Sequence, residues 1–167
     1  IFEKRSQFLV SFLPKVKRLY TEIAQKEEDL SILYDSRLLE TPFDELLMAS
    51  LSKDQQLQRT TTGIHRDDIV LQLNNQPFKN IASQGQRKSL LFALKLTELE
   101  VIKNEKRIIP LLLLDDVFEK LDEERISNLL QKVCIENNGQ VFITDTNKER
   151  LQTHLQEIKA DYELISL

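Results

Sequence analysis

The chain has 167 residues, 41% of them hydrophobic and 30% charged, with a net charge of −4. That composition belongs to a folded chain with room for one domain and a small appendage, and it excludes a disordered segment. No apolar run approaches the roughly 20 residues of a membrane span. A lone Cys134 excludes a disulfide framework and, without a visible signal peptide, favours a reducing cytosol. The acidic balance is not the footprint of a stand-alone nucleic-acid binder.

Leu9, Phe12, Leu13, Val16, Leu19, Tyr20 and Ile23 recur at three- and four-residue steps, which predicts a helix face. Pro14 is expected to kink or interrupt it. Lys15, Lys17 and Arg18 read as a solvated face, and Glu27, Glu28 and Asp29 close the stretch. Because the chain opens at Ile1 in mid-pattern, it is expected to be a piece of a longer protein, with residues 1–28 part of a helical arm. A short strand is predicted over 30–34, and a helix over 42–51 with Pro42, Asp44 and Glu45 in its first turn.

Ile69, Leu71 and Leu73 alternate with polar residues before Asn74-Asn75, predicting a half-exposed strand and a hairpin. Leu90, Ala93, Leu94, Thr97 and Val101 mark the next helix. Pro110 precedes a strand over 111–114. Ile126, Leu129, Leu130 and Val133 lie on a helix that Asn138-Gly139 should stop. A strand is predicted over 141–144, a helix over 148–158 whose His154 reads as solvated, and a last strand over 162–167. Strands alternating with helices late in the chain predict an α/β fold with a mainly parallel sheet.

Two stretches carry chemistry. Leu111 to Leu114 is a greasy run that ends in Asp115 and Asp116, with Asp122 six residues beyond the pair. Mg²⁺ takes one or two carboxylates plus substrate phosphates. A rigid strand end suits Asp115 to that task, while Asp116 could orient or deprotonate a water. The bland alternative is a strand ending in solvated acids. Asp122, before Glu123 and Glu124, is a good helix N-cap whatever its chemistry.

The second stretch is Ser83-Gln84-Gly85-Gln86. It is a capping box, with Ser83 as cap and Gln86 reaching back. That does not account for Gly85, since glycine costs up to about 1 kcal/mol against alanine in a helix. Close approach of an anion to the backbone would account for it. There are only three glycines, Gly63, Gly85 and Gly139, and no G-x-x-x-x-G-K-[ST] loop.

The order of these stretches resembles ABC-type ATPases. Ala82-Ser83-Gln84-Gly85-Gln86 resembles the signature motif, Leu111 to Asp115 the Walker B strand, and Leu121-Asp122 the D-loop. Gly63-Ile64-His65-Arg66-Asp67-Asp68, Ser83-Gln84-Gly85-Gln86-Arg87-Lys88 and the Leu112 to Asp122 stretch are similar to motifs of the RecF family of DNA replication and repair ATPases. The likeness runs from about Tyr34 to Thr146.

The resemblance implies an ABC-type (P-loop NTPase) head fragment over 29–167 beside the arm segment over 1–28. It implies ATP and Mg²⁺ as cofactors, with Asp115 on the metal and Asp116 as the catalytic residue. Ser83, Gly85 and Gln86 would contact ATP in trans, held by the other subunit of an ATP-dependent homodimer. Asp122 would be the D-loop acid, and Thr144, Asp145 and Thr146 the switch region, where many relatives carry His. The alternative reading is that these three cap the next helix. Asp116 stands where many of the class have Glu, so turnover should be slow. The implied partners are DNA at gaps and at single-strand/double-strand junctions and the RecR and RecO proteins, with no membrane, in a bacterial cytoplasm. An isolated piece without Walker A should bind ATP poorly.

His65 gains interest but no chemical role from the resemblance, and Asp67 and Asp68 read as structural. Two alternatives remain open: a partner-binding interaction module without its own ATP chemistry, and a Mg²⁺-dependent phosphoesterase using Asp115, Asp116 and Asp122.

Overall fold

The computed structural model describes residues 1–117, 119–137 and 139–165. They form two compact units, one of Ile1–Lys17 with Asp29–Ile81, the other of Arg18–Glu28 with Ala82–Leu167. Helix α1 (Phe2–Ala24) contributes its first part to one unit and its last part to the other. It runs through Pro14 without a break. Proline there removes one backbone donor, and the buried Leu9, Leu13 and Val16 on one side hold the segment helical.

In the first unit, β1 (Leu30–Asp35) pairs antiparallel with β2 (Asp68–Leu73), from Leu30 against Leu73 to Asp35 against Asp68. The two-residue β3 (Gln76–Pro77) returns along β2. Asn74 and Asn75 both have left-handed φ, 50° and 59°. Asparagine tolerates that region, and two such residues make the tight turn that matches strand twist. Helix α2 (Phe43–Leu57) outlasts its apolar periodicity, because residues 52–57 are rich in good helix formers. It ends at Gln58, whose left-handed φ of 50° accompanies a cap bond to Asp54 O. The short α3 (Phe78–Ile81) closes the unit.

In the second unit, the long α4 (Gln84–Lys106) buries Leu90, Ala93, Leu96 and Thr97. Strand β4 (Leu112–Leu114) pairs parallel with β5 (Val141–Ile143), Leu112 against Val141 and Leu114 against Ile143. Leu112 and Leu114 are buried while Leu113 is 74% exposed, so one face of this pair lies on the core.

Helix α5 (Glu123–Leu130) passes into a π-helical turn over Gln131–Ile135, where Glu136 N–H reaches back five residues to Gln131 O at 3.2 Å. The expected stop at Asn138 lies outside the described residues. Gly139 has a packing reason of its own, since a Cβ there would sit 3.0 Å from Ile109 Cγ2 and Pro110 O.

Helix α6 spans Lys148–Glu157. The strand expected over 162–167 is not found in its described part. A strand persists only where a neighbour takes its ladder bonds, and no described strand pairs with residues 162–165; positions 166–167 lie outside the described residues. No helix among the described residues is long and apolar enough to cross a membrane.

Candidate functional site

All the residues singled out for chemistry lie in the second unit. The parallel ladder continues one step beyond the strands, Thr144 N–H donating to Leu114 O at 2.9 Å. That bond brings Asp115 and Thr144 side by side, and the Thr144 hydroxyl donates to the Asp115 carboxylate. Both are exposed at the end of β4–β5. Asp116 takes a left-handed φ of 48°, so the chain turns sharply there instead of extending the strand. Its carbonyl accepts a hydrogen bond from Lys88 Nζ on the first turns of α4.

The capping box is complete. Gln86 N–H donates to Ser83 Oγ at 3.1 Å, and Ser83 N–H to Gln86 Oε1 at 2.8 Å. By position, the amides of Gln84 and Gly85 have no acceptor inside the helix. Ser83 is exposed and Gly85 half-buried. A Cβ on Gly85 would stand 3.1 Å from the backbone oxygen of Lys120. Part of the requirement for glycine therefore comes from the loop after the acids.

Asp122 caps α5, its carboxylate accepting from Arg125 N–H at 2.9 Å. Thr144, Asp145 and Thr146 do not cap α6. Asn147 does, accepting from Arg150 N–H at 3.0 Å, while Asp145 accepts from Asn147 N–H at 2.8 Å and the Thr144 hydroxyl is turned to Asp115.

Three residues beside the site carried no functional signal in the sequence. The Glu28 carboxylate accepts from Arg125 Nη2 at 2.6 Å, from Gln86 Nε2 at 3.1 Å and from the Tyr20 hydroxyl. Arg125 also donates from Nη1 to Ser89 Oγ at 3.0 Å and lies 3.4 Å from Asp122. Burial and the Glu28 carboxylate raise the Tyr20 phenol well above its ordinary value. For Arg125, burial opposes the charge, but the bond to Glu28 and its charge outweigh that and hold the guanidinium protonated. Arg125 and Glu28 are 97 positions apart, so no local pattern could have joined them.

His154 is not solvated. It is buried, with Nε2 2.7 Å from Glu123 Oε2. The polar appearance of α6 concealed that Leu151, His154 and Leu155 share its inner face.

In the first unit, the Gly63 to Asp68 stretch is tied down by Arg5, Tyr34 and Thr60. Asp67 accepts from Arg5 Nη1 at 3.0 Å and from the Tyr34 hydroxyl at 2.5 Å. Gly63 has a φ of 131°, which disfavours any side chain. His65 Nε2 lies 3.3 Å from Thr60 O, and Arg66 donates to the same oxygen at 3.3 Å. Asp67 is therefore structural, while Asp68 bonds the neighbouring Ile69 amide at 2.8 Å.

No group of three or more His, Cys, Asp or Glu gathers as a metal cage among the described residues. One exposed carboxylate beside a hydroxyl instead fits Mg²⁺, which takes few protein ligands and relies on substrate phosphate.

Two solved structures match this architecture, each with a TM-score of 0.67. The recombination mediator protein RecF-ATPrS of the RecFOR pathway is 29% identical, covering 90% of this chain and 42% of that one. The corresponding RecF-ATP structure is 32% identical, covering 89% and 41%. The fold is that of an ABC-type ATPase, an α/β fragment with its parallel strands.

No family model matches the chain. It is 39% identical over 167 residues to the DNA replication and repair protein RecF of Flavobacterium johnsoniae, covering 100% of this chain and 46% of the relative. To the protein of the same description from Bacteroides thetaiotaomicron it is 38% identical over 164 residues, covering 98% and 44%. The chain belongs to the RecF family and spans about half the length of the curated relatives it matches.

Proposed function

We propose that this chain is the C-terminal part of a RecF-like DNA-repair ATPase, which dimerises on ATP, binds DNA at gaps and junctions and directs recombination machinery there. Residues 1–28 would form part of the arm and 29–167 part of the head, working with RecR and RecO in the bacterial cytoplasm. One observation carries the reading. The signature-like turn abuts the loop that follows the two acids, through the Lys88 bond to Asp116 O and the approach of Lys120 O to Gly85. Similarity to the RecF-ATP structure supports it.

On this reading the amides of Gln84 and Gly85 point at the terminal phosphate of ATP bound to the other subunit, backed by the positive end of the α4 dipole. The Ser83 hydroxyl accepts from Gln86 N–H and keeps its own proton to donate to that phosphate. The Gln86 side chain, with both ends of its amide engaged, supports the turn and contributes to the contact through its backbone. Asp115, whose carboxylate accepts from the Thr144 hydroxyl, would bind Mg²⁺ of its own subunit's ATP. The chemistry that Mg²⁺ would supply there is neutralisation of phosphate charge.

Asp116 would take the proton of the attacking water. Its short side chain on a turned backbone limits reach and makes hydrolysis slow. Asp122 keeps the D-loop in place as a cap, and Thr144, Asp145 and Thr146 border the phosphate as the switch region.

The test is hydrolysis by the intact protein with Asp116→Asn. A general base contributes about 10²–10⁴-fold, so turnover should fall by at least 100-fold with ATP binding retained. Unchanged turnover would remove Asp116 from the mechanism.

A further inference from the structure

We infer that Glu28 is a positioning residue for the signature turn; this rests on the reading that the turn contacts ATP across a dimer. Glu28 follows α1 in the second unit, and its carboxylate is 14% exposed. It joins three elements: α1 through Tyr20, the first turn of α4 through Gln86, and the start of α5 through Arg125.

The directionality of these bonds is what matters. A primary amide has one donating and one accepting end. In Gln86 the accepting end takes Ser83 N–H, and the donating end meets Glu28. If the amide flipped, its oxygen would face the carboxylate and its NH₂ would face another N–H. The charge on Glu28 therefore fixes which end of Gln86 addresses Ser83, and with it the geometry of the free amides at Gln84 and Gly85. The same carboxylate holds Arg125, which braces Ser89 on α4 and Asp122 before α5. One side chain thus sets the signature turn and the D-loop cap together.

Packing alone does not require this arrangement. A buried ion pair is weak evidence for stability, and well-packed apolar residues often replace one without loss. A neutral replacement would fill the space but could not enforce the direction of the Gln86 amide.

The experiment uses the intact protein and reads ATP-dependent self-association by sedimentation, with nucleotide binding by the dilute monomer as a second readout. Glu28→Gln should weaken assembly about tenfold, the effect of one compromised buried hydrogen bond, with monomer binding unchanged. Gln86→Leu should weaken it similarly, and the double variant should be no worse than Gln86→Leu alone. The apolar pair Glu28→Leu/Arg125→Met keeps the test decisive if Glu28→Gln unfolds: it should stay folded, with a melting temperature lowered by the unpaired Tyr20 and Ser89 hydroxyls, and still assemble poorly.

Wild-type assembly by Glu28→Gln or by the apolar pair would overturn the inference, as would additive losses in the double variant. Ser83→Arg separates the two levels. If it abolishes assembly while Glu28→Gln does not, only the role of Glu28 fails. If neither has an effect, the contact across the dimer fails and the inference with it.

Discussion

The backbone oxygen of Lys120 stands 3.1 Å from the position a Cβ would occupy on Gly85. The start of α4 and the loop between Asp116 and Asp122 are thus in contact without an intervening side chain. Gly85→Ala gains about 1 kcal/mol of helix propensity and forces the Lys120 carbonyl to yield by a few tenths of an ångström. The two effects oppose, so the melting temperature should move little. On the proposed function ATP-dependent assembly should nevertheless fall, because the added methyl displaces the loop that meets the signature turn. Thermal melts paired with sedimentation check this; a normal assembly curve would mean that the glycine serves packing alone.

Arg125 should dominate the stability of the second unit. Its side chain is 8% exposed and that of Glu28 14%. Removing one partner strands a charge, which costs about 3–5 kcal/mol. Arg125→Ala should lower unfolding free energy by that order in urea titrations. A loss under about 1 kcal/mol would mean that solvent reaches Glu28 freely.

Asp122 can be divided into its two possible roles. Asp122→Ala loses the cap on α5 and should cost about 1 kcal/mol. Asp122→Ser restores a side-chain oxygen to the cap and should recover most of that stability. If the serine variant is stable yet hydrolyses ATP poorly in the intact protein, the acid has a D-loop role beyond capping. Wild-type turnover in the serine variant would confine it to the cap.

Acid sensitivity should be traceable to Glu123. Burial acts to raise its carboxyl pKa, but the bonds from Arg150 (2.5 Å) and His154 (2.7 Å) outweigh that and hold it below the ordinary value. A carboxyl depressed in the folded state contributes stability that is present above its unfolded pKa of 4.5 and is lost as pH falls through the folded value. The gap in melting temperature between wild type and Glu123→Gln should be open at pH 7 and close as pH falls below about 4. A gap independent of pH would show that the ionised form makes no difference.

Features governed by neighbours in sequence were legible. The Ser83 capping box, the Asn74-Asn75 turn, the Asp122 cap and the apolar run ending in Asp115 each depend on residues within a few positions of one another, and each is in place. Features governed by distant partners were not. Glu28 looked like part of an acidic end, because Arg125 is far along the chain. His154 looked solvated on a polar helix, although it is buried with Leu151 and Leu155 on the inner face of α6. The glycine at 85 suggested a ligand, and the backbone of Lys120 proved to be a further neighbour. Pro14 inside a continuous α1 shows packing overriding local preference, and the π-turn over Gln131–Ile135 had no signal in the sequence.

On the proposed function, the signature turn of one subunit completes the ATP site of another. Mixing two inactive forms of the intact protein, Ser83→Arg and Asp115→Ala, tests it most directly by ATP hydrolysis. In a mixed dimer, the Ser83→Arg subunit keeps its own acids and receives an intact turn from its partner, so one whole site is rebuilt. Activity should return on mixing. A mixture as inactive as either variant alone would contradict it.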